Sequence, residues 1–307
     1  MRTRVLATLS ALAVGAVALT GCANSDDVAQ IVVTTNILGD VVREIVGDQA
    51  EVTTLMKPNS DPHSFGISAQ ESNSMHTADL VVFNGLGLEE GLLHHVDSAE
   101  AEGVPVVEVG SAVNPIAYSE GGTAGKDDPH FWTDPTRMAL AVDLIADEVV
   151  EHVPGVDEQA VRDNAAAYRA DLEELDQEMT GKFAAIPPAQ RKLITNHHVF
   201  AYLAEKYGFT VVGTVIPSGT TLASPSASDL ASLVGAVKSN GIHTIFADSS
   251  QPDRLAQVVA DTTGTDVDIR SLYTESLGEP GSEAGTYLNM MRSNATQISD
   301  GLTPQGS

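Results

Sequence analysis

The chain has 307 residues, with 42 Asp and Glu against 16 Lys and Arg, giving a formal net charge of −26. A surface of that sign repels nucleic acid and anionic membrane surfaces, while 42% apolar content places the chain among globular proteins rather than disordered ones. The single cysteine, Cys22, excludes a disulfide framework and a thiolate metal cluster.

The length leaves room for two lobes of about 100–150 residues, each with its own core. The acidity reads first as solubility or as adaptation to a salty exterior. Steering of a cationic ligand is secondary, because the screening length at physiological salt is ~8 Å.

Residues 1–21 have the parts of a secretory signal. Arg2 and Arg4 precede an apolar run over 5–20, which is too short to be read as a membrane span. Leu19-Thr20-Gly21-Cys22 resembles the bacterial lipobox, in which the chain is cut before the cysteine and the cysteine receives lipid. The expectation is a protein anchored through Cys22 to the extracytoplasmic face of the cell membrane. Residues 22–30 are polar and serve as a tether.

An N-terminal α/β lobe is expected over 31–155. Strands are read at 31–35, 51–56, 79–84 and 105–109 from short β-branched runs bounded by turn residues. Helices are read at 38–47, at 68–76 with Ser68 and Glu71 as a capping box, and at 86–101. A polar loop over 110–128 runs into Pro129-His130. Asp134 as N-cap and Pro135 at the first helical position then open a helix to about residue 152.

Residues 156–186 form the longest helical stretch. Val161, Ala165, Tyr168, Leu172, Leu175, Met179 and Phe183 recur in steps of three and four, and Pro187-Pro188 stops the pattern. Such a helix is long enough to bridge two lobes. A C-terminal α/β lobe over 187–307 follows. Its strands are read at 192–195, 210–215, 243–247 and 267–273, and its helices at 199–207, 226–239, 253–262 and 283–299. The alternation argues for parallel sheets with helices on both faces. The strands' C-terminal ends then share one edge, where ligands of α/β sheets bind.

Nine histidines are present. His76, His94, His95, His152 and His243 read as surface or structural residues, and His198 as a bystander of His197 at a helix start. His63, His130 and His197 each follow a strand or loop at the binding edge, and Glu275 follows another strand. Two of the histidines stand in Asp-Pro-His tripeptides, where proline limits the backbone's wander. Singly each is ordinary; together they raise metal binding as one open reading beside structural roles.

The stretches Lys57-Pro58-Asn59-Ser60-Asp61-Pro62-His63, Asp128-Pro129-His130-Phe131-Trp132-Thr133-Asp134-Pro135 and His197-His198-Val199-Phe200-Ala201 resemble signatures of metal-binding lipoproteins, the solute-binding subunits of zinc and manganese ABC importers. Ser224-Pro225-Ser226 and Ile245-Phe246-Ala247-Asp248-Ser249-Ser250 are similar to two further stretches, and the likeness covers 31–303. The resemblance implies two Rossmann-like α/β lobes with parallel sheets joined by one long rigid helix, and a metal between the lobes. It implies no catalysis, and it implies an ABC permease and its ATPase as partners.

Carried over position by position, the implied ligands are His63, His130, His197 and Glu275. Relatives often carry Asp at the fourth position, so Glu275 is a departure. Asp248 stands where a Glu is usual and is expected to support the ligands from outside. Residues 119–128 lack the histidines of many zinc-specific relatives, although Glu120, Asp127 and Asp128 could attract cations. Three imidazoles and one carboxylate suit Zn²⁺ as cargo, with Mn²⁺ or iron as the alternative. A zinc hydrolase and a surface adhesin are the remote readings.

Overall fold

A computed structural model describes residues 28–118 and 124–303. The signal, Cys22 and most of the tether lie outside the described residues, as does Glu120. Two four-stranded parallel sheets form the two halves, in agreement with the expected α/β class.

The first sheet has the order β2-β1-β3-β4, built from β1 (Gln30–Val33), β2 (Glu51–Thr54), β3 (Leu80–Phe83) and β4 (Val106–Glu108). The second repeats that order as β6-β5-β7-β8, from β5 (Lys192–Thr195), β6 (Thr210–Thr214), β7 (Thr244–Asp248) and β8 (Asp268–Leu272). The connecting helices are α1 (Asn36–Val46), α2 (Ala69–His76), α3 (Leu93–Ala101), α4 (Pro135–His152), α6 (Ala201–Tyr207), α7 (Ala227–Asn240) and α8 (Arg254–Thr263), and α9 (Tyr287–Leu302) closes the chain. Between the halves runs α5 (Glu158–Ala184).

Local chemistry sets several ends where the residues predict them. Ser68 accepts from Glu71 N while the Glu71 carboxylate accepts from Ser68 N, a complete capping box on α2. Asp134 caps α4 with Pro135 behind it, and Asp157 caps α5 by accepting from Gln159 N and Ala160 N. The 27 residues of α5 span about 40 Å. Its buried face consists of Val161, Ala165, Tyr168, Leu172, Leu175, Met179 and Phe183.

The cores are not separate, which corrects the expectation of one core per lobe. A continuous apolar cluster runs from Ile31, Val33 and Val82 through α1, α4 and α5 to Leu193, Phe246 and α9. Strand alternation explains the division. Val32 and Val81 point to the other face of the first sheet and pack with Met75, Leu92 and Val96. Ile194 and Ile245 do the same in the second, against Leu233, Val237 and Val259. Each sheet therefore has a private outer layer and a share in one common interior.

Two helices begin later than the sequence suggests. The helix expected from residue 86 starts at Leu93, because Gly85, Leu86 and Gly87 all have positive φ, at 79°, 53° and 80°. That turn folds around Glu89, which is 0% exposed and accepts from Thr34 Oγ1, Asn84 N and Gly85 N. Burial raises its carboxyl above the usual range. A Cβ at Gly85 would lie 2.1 Å from Glu108 Cγ, so glycine is required there. The closing helix starts at Tyr287 rather than 283, with Thr286 as its N-cap.

Candidate metal centre

The strand ends deliver four side chains to one point. His63 lies in the loop after β2, His130 ends the segment after β4, His197 follows β5 and Glu275 follows β8. Their exposures are 2%, 0%, 0% and 1% in that order. Among the described residues this is the one group of three or more His, Cys, Asp or Glu side chains whose donor atoms all lie within 4.8 Å of one another.

The donor spacing is informative. His130 Nε2 is 3.4 Å from His63 Nε2 and 3.4 Å from His197 Nε2. Glu275 Oε1 is 3.0 Å from His197 Nε2 and 3.4 Å from His130 Nε2, and Oε2 is 3.5 Å from His63 Nε2. Bonds of ~2.0–2.1 Å at tetrahedral angles place donors about 3.3–3.4 Å apart. Both Glu275 oxygens are buried without a hydrogen-bond partner. A buried carboxylate in that state is costly unless an opposite charge joins it, and a divalent cation amid the four donors supplies that charge. The donor set therefore fits a metal ion.

Electrostatics prepare the imidazoles to accept one. Burial pushes His63 down to about 4 and His130 down to about 3, against the partly offsetting pull of Glu275. Burial also lowers His197. All three rings are neutral near pH 7. Burial pushes Glu275 up to about 7, opposed by His130 and His63.

The two Asp-Pro-His tripeptides owe more to their aspartates than the sequence suggests. Asp61 Oδ1 accepts from His63 N at 2.9 Å, and Asp128 Oδ1 accepts from His130 N at 2.9 Å. In each, the carboxylate folds the backbone two residues on and aims the ring. Asp128 Oδ1 also lies 2.6 Å from His130 Nδ1, so the ring donates from Nδ1 and turns the Nε2 lone pair to the site. Asp128 is 0% exposed, which corrects its reading as a surface attractor of cations.

Asp248 does not join the cluster. It is buried, and it accepts from Ser250 N at 2.5 Å and from the Thr274 hydroxyl, which fixes the residue beside Glu275. His197 sits in a turn rather than at a helix start, since α6 begins at Ala201. Its neighbour His198 does not join the four donors. His76 pairs with Glu102, His95 with Ser72 and His152 with Glu148, all away from the site.

Sequence reasoning missed the residues that lock the lobes around the cluster. Asn36 Nδ2 donates to Ser276 Oγ at 2.7 Å while its Oδ1 accepts from Leu277 N at 2.9 Å. Trp132 Nε1 donates to Thr274 O, and Tyr287 Oη donates to Trp132 O. Within the first lobe, Asn84 Nδ2 donates to Pro129 O, next to His130. Most of these bonds join residues over 100 apart, beyond the reach of any local pattern.

Comparison with known proteins identifies a family and several relatives. The model of the zinc-uptake complex component A family, described as periplasmic, matches residues 31–301. The manganese-binding lipoprotein MntA of Bacillus subtilis is 32% identical over 295 residues, covering 93% of this chain and 95% of the relative. The iron-binding protein YfeA of Yersinia pestis is 28% identical over 282 residues, covering 91% and 89%. Among solved structures, the periplasmic zinc-binding protein TroA from Treponema pallidum superposes with a TM-score of 0.84 at 26% identity, covering 90% of this chain and 99% of its own.

Proposed function

We propose, because this chain belongs to the family of zinc-uptake complex component A, that it holds one zinc ion between its lobes and hands it to an ABC permease powered by a partner ATPase. The family is one of substrate-binding proteins of ABC importers, not of enzymes. The site agrees with that role, because Glu275 takes the corner that a zinc hydrolase leaves open for water.

One observation carries the assignment of zinc. Three buried Nε2 atoms and a carboxylate without hydrogen bonds make five contacts of 3.0–3.5 Å, close to the edge lengths of a zinc tetrahedron. A second reading also has support. Glu275 turns one oxygen toward His197 and His130 and the other toward His63, an approach suited to two-oxygen binding and to manganese, which prefers more oxygen. Relatives named for manganese and iron point the same way.

Affinity in vitro does not separate these cargoes, since zinc outbinds manganese at most nitrogen and oxygen sites. The deciding measurement is elemental analysis of full-length protein purified without chelator from cells supplied with both metals. About one zinc per chain is expected from the four-donor set, and markedly less in Glu275→Ala. One manganese per chain overturns zinc as the cargo.

Attachment rests on the lipobox-like Leu19-Thr20-Gly21-Cys22, which would tether the receptor beside its permease. Cys22→Ser should move the protein from the membrane fraction to the soluble one. Retention in washed membranes defeats the anchor.

A further inference from the structure

Four donors with 2% exposure or less can release an ion only if something covering them moves. The lobes are joined around the site by buried contacts, among them those of Asn36, Trp132 and Tyr287, and by contacts to the loops after β6 and β7. Trp132 and Tyr287 belong to the common apolar interior and are poor candidates for movement. Asp61 makes the contacts to the loops. It is 7% exposed, and its Oδ2 accepts from both lobes. Oδ1 accepts from His63 N at 2.9 Å. Oδ2 accepts from Ser64 Oγ at 3.1 Å, Thr221 Oγ1 at 2.6 Å and Gln251 Nε2 at 2.9 Å. Thr221 and Gln251 stand on two separate loops of the second lobe, after β6 and after β7.

The loop that carries Thr221 is loosely tied to its own lobe. Among the described residues, no backbone–backbone hydrogen bond involves residues 219–225. Its ties are short-range contacts such as Thr220 N to Ser218 Oγ and Leu222 N to Thr220 Oγ1. Leu222 at its tip is 53% exposed. The loop lies close to the first lobe, since a Cβ at Gly219 would come within 2.4 Å of Tyr118 Oη. A segment with few backbone hydrogen bonds opens at low free energy, so its closed position depends on the contacts it makes across the cleft. Chief among these is the hydrogen bond from Thr221 Oγ1 to the Asp61 carboxylate.

We propose that Asp61 is the latch of the site: one oxygen orients His63, and the other holds the 219–225 strap and the Gln251 loop closed, so that Thr221 and Gln251 set the rate at which the metal leaves. The inference rests on the metal-binding reading above and adds a retention role for residues that do not touch the ion.

The test removes both donors of the second lobe and leaves Asp61, His63 and Ser64 in place. Full-length protein loaded with zinc is mixed with excess chelator, and release is followed by stopped flow in wild type, Thr221→Val/Gln251→Leu and Thr221→Ser. Hydrogen bonds to a charged group are worth enough to speed release by ~10–100-fold in the double variant. Thr221→Ser keeps the hydroxyl and should release at the wild-type rate. Amide hydrogen exchange over 219–225 should quicken in the double variant alone. If the double variant does not fold, Thr221→Val is read in the same way, with a smaller rise expected. Release within twofold of wild type in the variants lacking the hydroxyl overturns the latch, and so does an equal acceleration in Thr221→Ser, which would mean packing rather than hydrogen bonding. A wild-type chain that retains no zinc overturns the metal reading itself, a separate outcome.

Discussion

His130→Ala should lower zinc affinity by a factor of about 10²–10³ with the fold intact. Four-ligand zinc sites bind with about 10–16 kcal/mol, so a quarter share is roughly 3–4 kcal/mol, which corresponds to that factor. His130 is the sharpest choice because its Nε2 lies 3.4 Å from the Nε2 of each other imidazole and 3.4 Å from Glu275 Oε1. Removing it leaves Asp128 buried without its ring partner. Burial has already pushed that carboxyl up to about 7, so Asp128 can take a proton instead of standing as an unpaired charge, and the loss of stability stays modest. Asp128→Asn makes the complementary point. It keeps the shape and an acceptor but removes the negative charge facing Nδ1, and such a change costs ~10–100-fold in metal affinity. Competition with a chromophoric chelator measures both. Wild-type affinity in His130→Ala would remove the ring from the ligand set.

The parts of the fold that were legible in the sequence are those decided by neighbours in the chain. The seven buried positions of α5, the Ser68–Glu71 capping box and the Asp134-Pro135 start all follow from residues within one or two turns of each other. The start of α3 was not legible, because a carboxylate buried against Thr34, 55 residues away, decides it. The common interior was equally hidden. Strand alternation shows which residues are inside, but not that the inner faces of both sheets meet across α5.

The same division holds at the metal centre. Histidines at strand ends are visible as a pattern, and the structure brings those three together with Glu275. The bonds that fix them are not visible in that pattern, since Asn36 reaches Ser276 across 240 residues and Asp61 reaches Gln251 across 190. The aspartate of each Asp-Pro-His did leave a local signal. An acid two residues before a turn residue is a known way to fold backbone, and giving the tripeptide's order to proline alone overlooked it.

Acidification should weaken metal binding before it weakens the fold. In the metal-free site Glu275 is pushed up to about 7 by burial, whereas a bound cation requires it ionised. A proton therefore competes with the ion below pH 7. Apparent affinity should be flat above about pH 8, fall about twofold at pH 7 and about tenfold at pH 6, one proton being taken up per ion released. His63 and His130, lowered to about 4 and about 3, add nothing until the pH approaches their range. Fold stability responds differently, because two sets of groups oppose each other. Glu275, Asp128 and Asp40 have folded values of about 7, about 7 and about 6, above their unfolded values. The folded state binds more protons there, so these groups favour folding as pH falls from 7 toward 4. His63, His130 and His197 are lowered, so the unfolded state binds more protons below pH 6.5, and these groups disfavour folding as the pH falls. At the acid end the metal-free fold should weaken, because Glu71 and Asp229, held below the usual carboxylate range by their hydrogen bonds to Ser68 and Ser226, also take up protons there and lose their contribution. Zinc titrations by calorimetry in buffers of different ionisation enthalpy, set beside urea unfolding of the metal-free protein, read the two effects separately. Glu275→Gln should flatten the affinity profile between pH 5.5 and pH 8 at a lower overall affinity. A profile with the wild-type slope in that variant would place the competing proton on another group.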